Sequence, residues 1–240
     1  MLINSNIRQE KDDTIMLLNY YIDTLEKDLN KTIQTILDLG SSNGYYHQYI
    51  KPDKQLRIIG IDNNINQLKI ENTRSVILQW NLEKYPYPIK EKFDLVIMME
   101  ILQYIYDIEY FLKYVIQHHT KTGTVLFITV PNKKSLDDII NNVDLSVYDP
   151  ELINTTYGRW NKYYIRYFDF NSFYKLLKQF DDKINILDIT GCNCLATPTF
   201  NNAIHYLANT LNLNISIITR LIGNAFSFIA PNIVALLEVK

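Results

Sequence analysis

The sequence predicts an α/β protein built around a parallel β-sheet. Apolar segments of strand type alternate with segments of helical spacing over the first 130 residues, a pattern typical of parallel strands joined by helices. One strand runs directly into a glycine-containing loop and then into a helical pattern. Another, Phe93–Met99, is continuously apolar, as expected of a central strand buried on both faces. With 240 residues, 47% of them apolar, the chain is long enough for one sizeable core.

The strand that meets the loop is Ile33–Leu39, and two glycines follow it, Gly40 and Gly44. Gly40 allows a sharp turn, and Gly44 allows the backbone to approach a ligand closely. The helix predicted from Tyr45 would add unpaired N–H groups at its N-terminus. Strand, loop and helix together predict a ligand-binding unit.

Two aspartates at strand ends indicate the kind of ligand. A carboxylate at Asp38 would repel a pyrophosphate but can hold an ammonium group, so the loop suits a nucleoside carrying an amino acid better than a dinucleotide. The second strand, Leu56–Ile61, ends at Asp62, 24 residues (62 − 38) after Asp38, about one strand-helix-strand step. Carboxylates at the ends of adjacent parallel strands can face one ligand from two sides.

Apolar periodicity and turn residues place the remaining elements. The predicted strands are Val76–Trp80, Phe93–Met99, Thr124–Val130, Ile184–Thr190 and Ile233–Val239. The predicted helices are Thr14–Leu29, which packs against the sheet, Glu100–His119, and Asn171–Phe180 with Asn171 as its N-cap.

Three further patterns stand at strand ends: Asn81-Leu82, Phe-Asp-Leu-Val from Phe93, and Glu-x-Leu-x-x-Ile from Glu100. Together with Ile-Leu-Asp-Leu-Gly-Ser-Ser-Asn-Gly from Ile36, they resemble the motifs of class I S-adenosylmethionine-dependent methyltransferases, most strongly over residues 33–131. The resemblance implies an α/β fold with a doubly wound, seven-stranded, mostly parallel sheet. Its implied strand order is 3-2-1-4-5-7-6, with strand 7 antiparallel and helices on both faces.

The resemblance also implies S-adenosylmethionine as the cofactor. In the family, the first loop wraps the methionine part, the acid ending strand 2 binds the ribose, residues ending strand 3 flank the adenine, and those ending strand 4 line the path to the sulfonium. Carried over motif by motif, the implied cofactor-binding residues are Asp38, Gly40, Ser41, Ser42, Asn43, Gly44, Asp62, Asn63, Asn81, Leu82, Met99 and Glu100. Asp62 could accept both ribose hydroxyls, and the side-chain oxygen of Asn81 could accept from the adenine amino group. Glu100 could equally be a base, a cofactor contact or a carboxylate that favours the helix dipole.

The sequence departs from the family pattern at three places. Ser42 stands where a glycine is common, and Asn81 where an aspartate commonly meets the adenine. Both replacements keep hydrogen-bonding capacity. Gln103-Tyr104 stands where a Glu-His pair is frequent, so a base supplied by that histidine in relatives is lost here.

We expect a single methyltransferase-like domain over residues 1–240, with a helical extension at 1–31 and substrate-side insertions at 132–168 and 195–230. We expect Tyr104 to line the substrate pocket. In relatives an Arg-aromatic pair just before the helix Asn171–Phe180 often edges this pocket, so the resemblance implies Tyr164, Arg166 and Tyr167 as further substrate-lining residues. The run around these last three mixes cations with aromatic rings, so it is either a lid or a base-stacking surface. The segment Ala196–Phe228 either caps a pocket for a hydrophobic substrate or completes the core.

The composition and charge of the chain limit the kinds of partner and the cellular compartment that we expect. A net charge of −2 and a pI near 6.1 disfavour nucleic acid as substrate. No apolar signal core precedes Asp13, and Cys192 and Cys194 lie too close along a strand for an easy disulfide, so a cytoplasmic setting is expected. We predict no metal site, and no membrane span in the apolar stretch from Ile215 to Leu237, because polar residues and a proline interrupt it.

The leading hypothesis is an S-adenosylmethionine-dependent methyltransferase acting on a small-molecule or lipid-like acceptor. One alternative is a catalytically silent binding module with the methyltransferase fold, and another is an RNA methyltransferase. A Rossmann dehydrogenase is disfavoured because Ser42 and Tyr45 occupy the places of its second and third glycines.

Overall fold

The computed structural model describes residues 3–63, 74–135, 164–192 and 230–240. Its strands are β1 (Thr35–Leu39), β2 (Arg57–Asp62), β3 (Ser75–Gln79), β4 (Phe93–Met99), β5 (Thr120–Pro131), β6 (Ile184–Cys192) and β7 (Asn232–Val239). The α-helices in these ranges are α1 (Ile3–Asp28), α2 (Ile108–His119) and α3 (Phe170–Lys178).

The seven strands form one sheet in the order β3-β2-β1-β4-β5-β7-β6. Strands β1 to β5 pair in parallel, whereas β7 runs antiparallel to both β5 and β6. The predicted strand order and the antiparallel seventh strand are therefore confirmed. In β1, Asp38 pairs with Gly60 of β2 and with Ile97 of β4, so the first loop emerges between two parallel neighbours.

Hydrophobic clusters cover both faces of the sheet, because successive side chains of a strand point to opposite faces. Along β4, Leu95 and Ile97 belong to the cluster that includes buried residues of α1. Val96 and Met98 belong to the other cluster, which includes buried residues of α2 and α3. The continuously apolar β4 is thus buried on both faces, as its sequence predicts.

The helix at the N-terminus begins earlier than predicted, at Ile3 instead of Thr14. The first part of α1 lacks apolar periodicity, but it contains Arg, Gln, Glu and Lys, which have high helix propensity. The helix ends where Asn30 adopts a left-handed φ of 50° and Lys31 N donates to Leu25 O over 3.1 Å.

Two helix predictions near strand ends are wrong. The segment from Tyr45 is a five-residue 3-10 helix, Tyr45–Tyr49, followed by Lys51 at a φ of 42°. The segment from Glu100 is a 3-10 turn, Leu102–Tyr104, and α2 begins only after Asp107. The Asp107 carboxylate caps α2 by accepting from Tyr110 N over 3.0 Å, which explains the break.

The prediction of Asn171 as an N-cap is also wrong. Asp169 caps α3, since its carboxylate accepts from Ser172 N while Ser172 Oγ accepts from Asp169 N. Before this helix, Phe168 forms a parallel bridge with Asn132 and accepts a hydrogen bond from Lys133 N over 2.7 Å. The two ends of the segment predicted as an insertion at 132–168 are therefore joined, while most of that segment, the segment Ala196–Phe228 and Cys194 lie outside the described residues.

Candidate functional site

The loop that follows β1 is fixed by its own backbone and by β2. Gly40 N and Ser41 N both donate to Ile61 O, over 2.8 and 3.3 Å. Gly40, Ser42 and Gly44 have φ values of 85°, 52° and 68°. A Cβ on Gly44 would lie 2.8 Å from His47 Nδ1, so both the positive φ and the lack of space require glycine there. Gly44 was predicted to let the backbone come close to a ligand, and in this structure the groups close to Gly44 are the side chains of His47 and Ile77.

The aspartate of β1 lies beneath this loop. Asp38 is fully buried and shares the face of β1 that carries Ile36. Its Oδ2 accepts a short hydrogen bond from the Tyr46 hydroxyl and lies 2.7 Å from His47 Nε2. Its Oδ1 is buried and has no hydrogen-bond partner among the described residues. Burial, and then the charge of Asp38, holds the pKa of Tyr46 well above its usual value, so this hydroxyl remains a donor.

The aspartate of β2 holds the loop from the other side. Asp62 Oδ2 accepts from Ser42 N over 2.8 Å, and Asp62 is half-buried at the end of its strand. The next residue, Asn63, is exposed, and its carbonyl accepts from Gln79 Nε2 of β3 over 3.2 Å. The structure therefore brings both predicted aspartates to one loop, with Asp62 at its surface and Asp38 below it.

The residues after β3 form a compact turn. The side-chain oxygen of Asn81 accepts from Glu83 N over 2.9 Å, although a carbonyl oxygen keeps a second lone pair for another donor. Leu82 is buried, and its carbonyl accepts from the Tyr87 hydroxyl over 2.8 Å. The turn thus presents an exposed amide beside a fixed apolar side chain.

The end of β4 meets the loop after β1. Glu100 follows Met99 with a φ of 52°, which is unusual for a residue other than glycine and is characteristic of constrained sites. Its Oε1 accepts from Asn232 Nδ2 of β7 over 2.8 Å. The next residue, Ile101, places its Cδ1 3.0 Å from the position that a Cβ on Gly40 would take. The predicted residues of β1 and β4 are therefore neighbours.

The predicted substrate residues form a second group beside Glu100. The Tyr104 and Tyr164 rings pack edge to face with centroids 4.9 Å apart, and Tyr167 lies 6.1 Å from Tyr164. Burial raises the pKa of Tyr164, and Tyr104 and Glu100 raise it further. Arg166 does not join the rings; its Nη2 donates to the carbonyl of Tyr106 over 2.6 Å. Three of the four predicted residues therefore cluster, and the fourth anchors the neighbouring loop.

Comparison with known proteins bears on this arrangement. A family model described as a methyltransferase domain matches residues 10–189. The chain belongs to this methyltransferase family. The resemblance to class I S-adenosylmethionine-dependent methyltransferases is thereby confirmed, and S-adenosylmethionine is the cofactor of the family.

Solved structures share the fold of this methyltransferase domain at low sequence identity. The plantazolicin methyltransferase BpumL in complex with SAH is 17% identical, with a TM-score of 0.64, over 99% of this chain and 89% of that one. The [4+2]-cyclase SpnF is 14% identical, with a TM-score of 0.55, over 92% and 80%. A putative methyltransferase of Haloferax volcanii, solved with the Trm112 activator, is 12% identical, with a TM-score of 0.55, over 99% and 93%. Comparison with curated protein sequences found no match.

Sequence reasoning missed several residues that shape the candidate site. Tyr46 and His47 were expected only as part of the helix predicted from Tyr45, yet both contact Asp38. Gly60 of β2 was not singled out, although a Cβ there would lie 2.5 Å from Ser41 Oγ. A glycine inside an otherwise β-branched strand, Arg-Ile-Ile-Gly-Ile-Asp, is the one signal that could have indicated close backbone approach.

The other features of the methyltransferase domain lie apart from this loop. A surface depression of about 770 Å³ is lined by residues of the turn before β2, by the first residues of β2 and by β3, so it lies toward the opposite edge of the sheet. Within the described ranges, no helix is both long and apolar enough to cross a membrane, and no cluster of three or more His, Cys, Asp or Glu side chains is placed to hold a metal ion.

Proposed function

We propose that this chain transfers a methyl group from S-adenosylmethionine to a small-molecule or lipid-like acceptor. The observation that carries the proposal is the loop of Gly40–Gly44, which stands between Asp38 and Asp62 at the carboxyl ends of adjacent parallel strands. Ligands of open α/β sheets bind at this edge. Membership of the methyltransferase family and the SAH bound to BpumL, the fold neighbour, support the same donor.

The charges of the site fit a cationic nucleoside. Among the twelve predicted cofactor residues there are three carboxylates, Asp38, Asp62 and Glu100, and no Lys or Arg. An ammonium group would supply the donor that buried Asp38 Oδ1 lacks among the described residues. Carboxylates also disfavour a phosphate-bearing ligand at this loop.

Each group of predicted residues has one part of the ligand to hold. Asp38 and the loop residues Gly40, Ser41, Ser42, Asn43 and Gly44 would hold the amino-acid part, Asp62 with Asn63 the ribose, and Asn81 with Leu82 the adenine. Met99 and Glu100 would line the path toward the acceptor. The rings of Tyr104, Tyr164 and Tyr167 would form the acceptor side. Arg166 would hold the loop after Tyr104 through its hydrogen bond to the Tyr106 carbonyl.

When bound, S-adenosylmethionine supplies a strongly activated methyl group. The chain's own contribution is then to align the two reactants and to exclude water, for which the packed rings of Tyr104 and Tyr164 are suited. Among the described residues, no histidine stands at the strand 4 end to act as a base; Gln103 is buried there and its Nε2 donates to the Glu100 carbonyl over 2.8 Å. This favours an acceptor whose nucleophile is already neutral or anionic.

Calorimetric titration with S-adenosylmethionine and SAH tests the proposal. We expect binding of both, and Asp62→Ala should weaken it about tenfold or more, because charge-assisted hydrogen bonds to the ribose are lost. Asp62→Asn keeps an acceptor for Ser42 N and should weaken binding less. Asp53→Ala, in the exposed turn before β2, is the matched control and should bind as the wild type does.

The fold neighbour SpnF is named a [4+2]-cyclase, so a protein of this fold need not be named for methyl transfer. The alternative for this chain remains a catalytically silent binding module. Failure of the folded chain to bind either nucleoside would refute the methyltransferase proposal and favour the silent module. Binding of NAD without binding of SAH would instead favour a dinucleotide enzyme.

A further inference from the structure

A buried cluster beneath the loop links three polar side chains. Asp38, Tyr46 and His47 are all buried, and the two donors converge on the same carboxylate oxygen, Asp38 Oδ2. The rings of Tyr46 and His47 lie edge to face with centroids 4.9 Å apart. In the described part of the chain, His47 is the basic residue that pairs with Asp38, with no Lys or Arg within ion-pair distance.

Burial removes the water that would otherwise bind the Asp38 carboxyl group. A buried carboxyl group needs hydrogen-bond donors from the protein or a ligand in place of that water. The Tyr46 hydroxyl and the His47 ring supply two such donors. Because both bind Oδ2, they also fix the orientation of the carboxylate and leave Oδ1 without a partner among the described residues.

The position of this cluster relates it to the ligand. Tyr46 and His47 belong to the 3-10 helix that directly follows Gly44, and His47 Nδ1 lies 2.8 Å from the position of a Cβ on Gly44. Both residues therefore contact the carboxylate below the loop, and His47 also limits the space at the end of the loop.

We propose that Tyr46 and His47 are positioning residues that hold the Asp38 carboxylate in one orientation, with Oδ1 left for the ammonium group of the amino-acid part of the ligand. This inference rests on the proposed function, and it names the residues that make Asp38 an ammonium acceptor. Neither residue needs to touch the ligand.

Two ligands that differ only in the amino group test the inference. The probes are SAH and 5′-S-(3-carboxypropyl)-5′-thioadenosine, which is the same molecule without its amino group. We expect Tyr46→Phe to weaken SAH binding about tenfold or more and to leave binding of the deaminated analogue within about twofold. In an Asp38→Asn background, Tyr46→Phe should change SAH binding less than twofold, because residue 38 then has no carboxyl group for the tyrosine to orient.

The control variant is Tyr45→Phe. Tyr45 is the exposed neighbour whose hydroxyl lies 3.0 Å from that of Tyr49, and its loss should change binding of neither probe. His47→Leu should reproduce the selective loss, and His47→Gln, which retains a donor, should restore part of it. If Tyr46→Phe does not fold, the pair of His47 variants carries the same test.

The outcomes separate the two proposals. A wild-type chain that binds neither probe contradicts the proposed function itself. A wild-type chain that binds both probes equally leaves the function standing but overturns the ammonium role of Asp38. Equal losses for both probes in Tyr46→Phe would show that the tyrosine only supports the fold.

Discussion

Substitution of Gly60 by alanine tests whether the β2 backbone positions the cofactor loop. A Cβ at residue 60 would lie 2.5 Å from Ser41 Oγ, 2.7 Å from Ser41 Cβ and 2.6 Å from Ile77 Cδ1. The first contact is about 0.9 Å shorter than an ordinary van der Waals contact of 3.4 Å. Ile77 can move the end of its side chain, but Ser41 is fully buried and its backbone N donates to Ile61 O. The loop itself must therefore shift.

The expected cost has two parts. Overpacking of this kind lowers the free energy of unfolding by about 1–3 kcal/mol, which urea denaturation would measure. A loop displaced by nearly this distance should also weaken SAH binding about tenfold or more in calorimetry, since binding groups displaced by about 1 Å lose much of their effect. In the double variant Ser41→Gly/Gly60→Ala, part of the stability should return because both Ser41 contacts are removed.

Gly123→Ala is the matched control for this experiment. Gly123 has a φ of 86° in β5, and the contact that a Cβ there would make with the described part of the chain is to Lys31 Nζ, at 3.3 Å. The substitution should destabilise the protein through backbone strain of about 1 kcal/mol or more and leave SAH binding unchanged. If Gly60→Ala instead binds SAH within about twofold of the wild type, the loop does not depend on β2 in the way its contacts indicate.

Two further predictions concern stability. The Asp94 carboxylate accepts hydrogen bonds from Thr35 N and Thr35 Oγ1 and forms an ion pair with Lys121. Partial burial alone would raise the pKa of Asp94, but the hydrogen bonds from Lys121 and Thr35 outweigh burial and lower this pKa. The ionised Asp94 carboxylate therefore stabilises the folded protein fully above the unfolded-state pKa of about 3.9, and this stabilisation is lost as the pH falls through the lower folded-state pKa. We expect Asp94→Ala to lower the free energy of unfolding by about 1–3 kcal/mol at pH 7, measured by urea denaturation, and by progressively less in acid. Asp169→Ala should lower stability by about 0.5–2 kcal/mol through loss of the α3 cap, whereas Asn171→Ala should be nearly neutral, and the reverse order would contradict the observed cap.

The positions of the strands were predictable because most of them are short apolar runs that end at a turn residue or a carboxylate, whereas their order in the sheet was implied by the resemblance to the methyltransferase motifs. The helix starts were not predictable, because several Asp and Asn residues near each start can cap a helix and the pattern does not choose among them. Asp169 and Asn171 illustrate this, since both precede the same apolar face and only Asp169 has Ser172 three residues on. A five-residue aromatic segment such as Tyr45–Tyr49 is also too short for its sequence to distinguish the period of a 3-10 helix, about 3.0 residues per turn, from that of an α-helix, about 3.6.

The backbone at Ser42 and Glu100 could not be predicted from residue type. Both adopt positive φ values, 52° in each case, which sequence reasoning assigns to glycine. Hydrogen bonds from Ser42 N to Asp62 and from Glu100 N to Thr129 O help to hold these conformations. Such contacts join residues distant in sequence, so only the folded chain reveals them.

The donor side and the predicted acceptor side are joined by one chain of contacts. Ile165 N donates to Gln103 O over 2.9 Å, and Gln103 Nε2 donates to the carbonyl of Glu100. Ile101, which follows Glu100, packs at Gly40 of the loop that we assign to the cofactor. A change in the aromatic segment after residue 164 can therefore reach the cofactor loop through three residues of the strand 4 end. For this reason we expect substitutions that change the choice of acceptor to alter SAH affinity as well. A series of variants in which acceptor choice and SAH affinity vary independently would show that this chain of contacts does not couple the two sides.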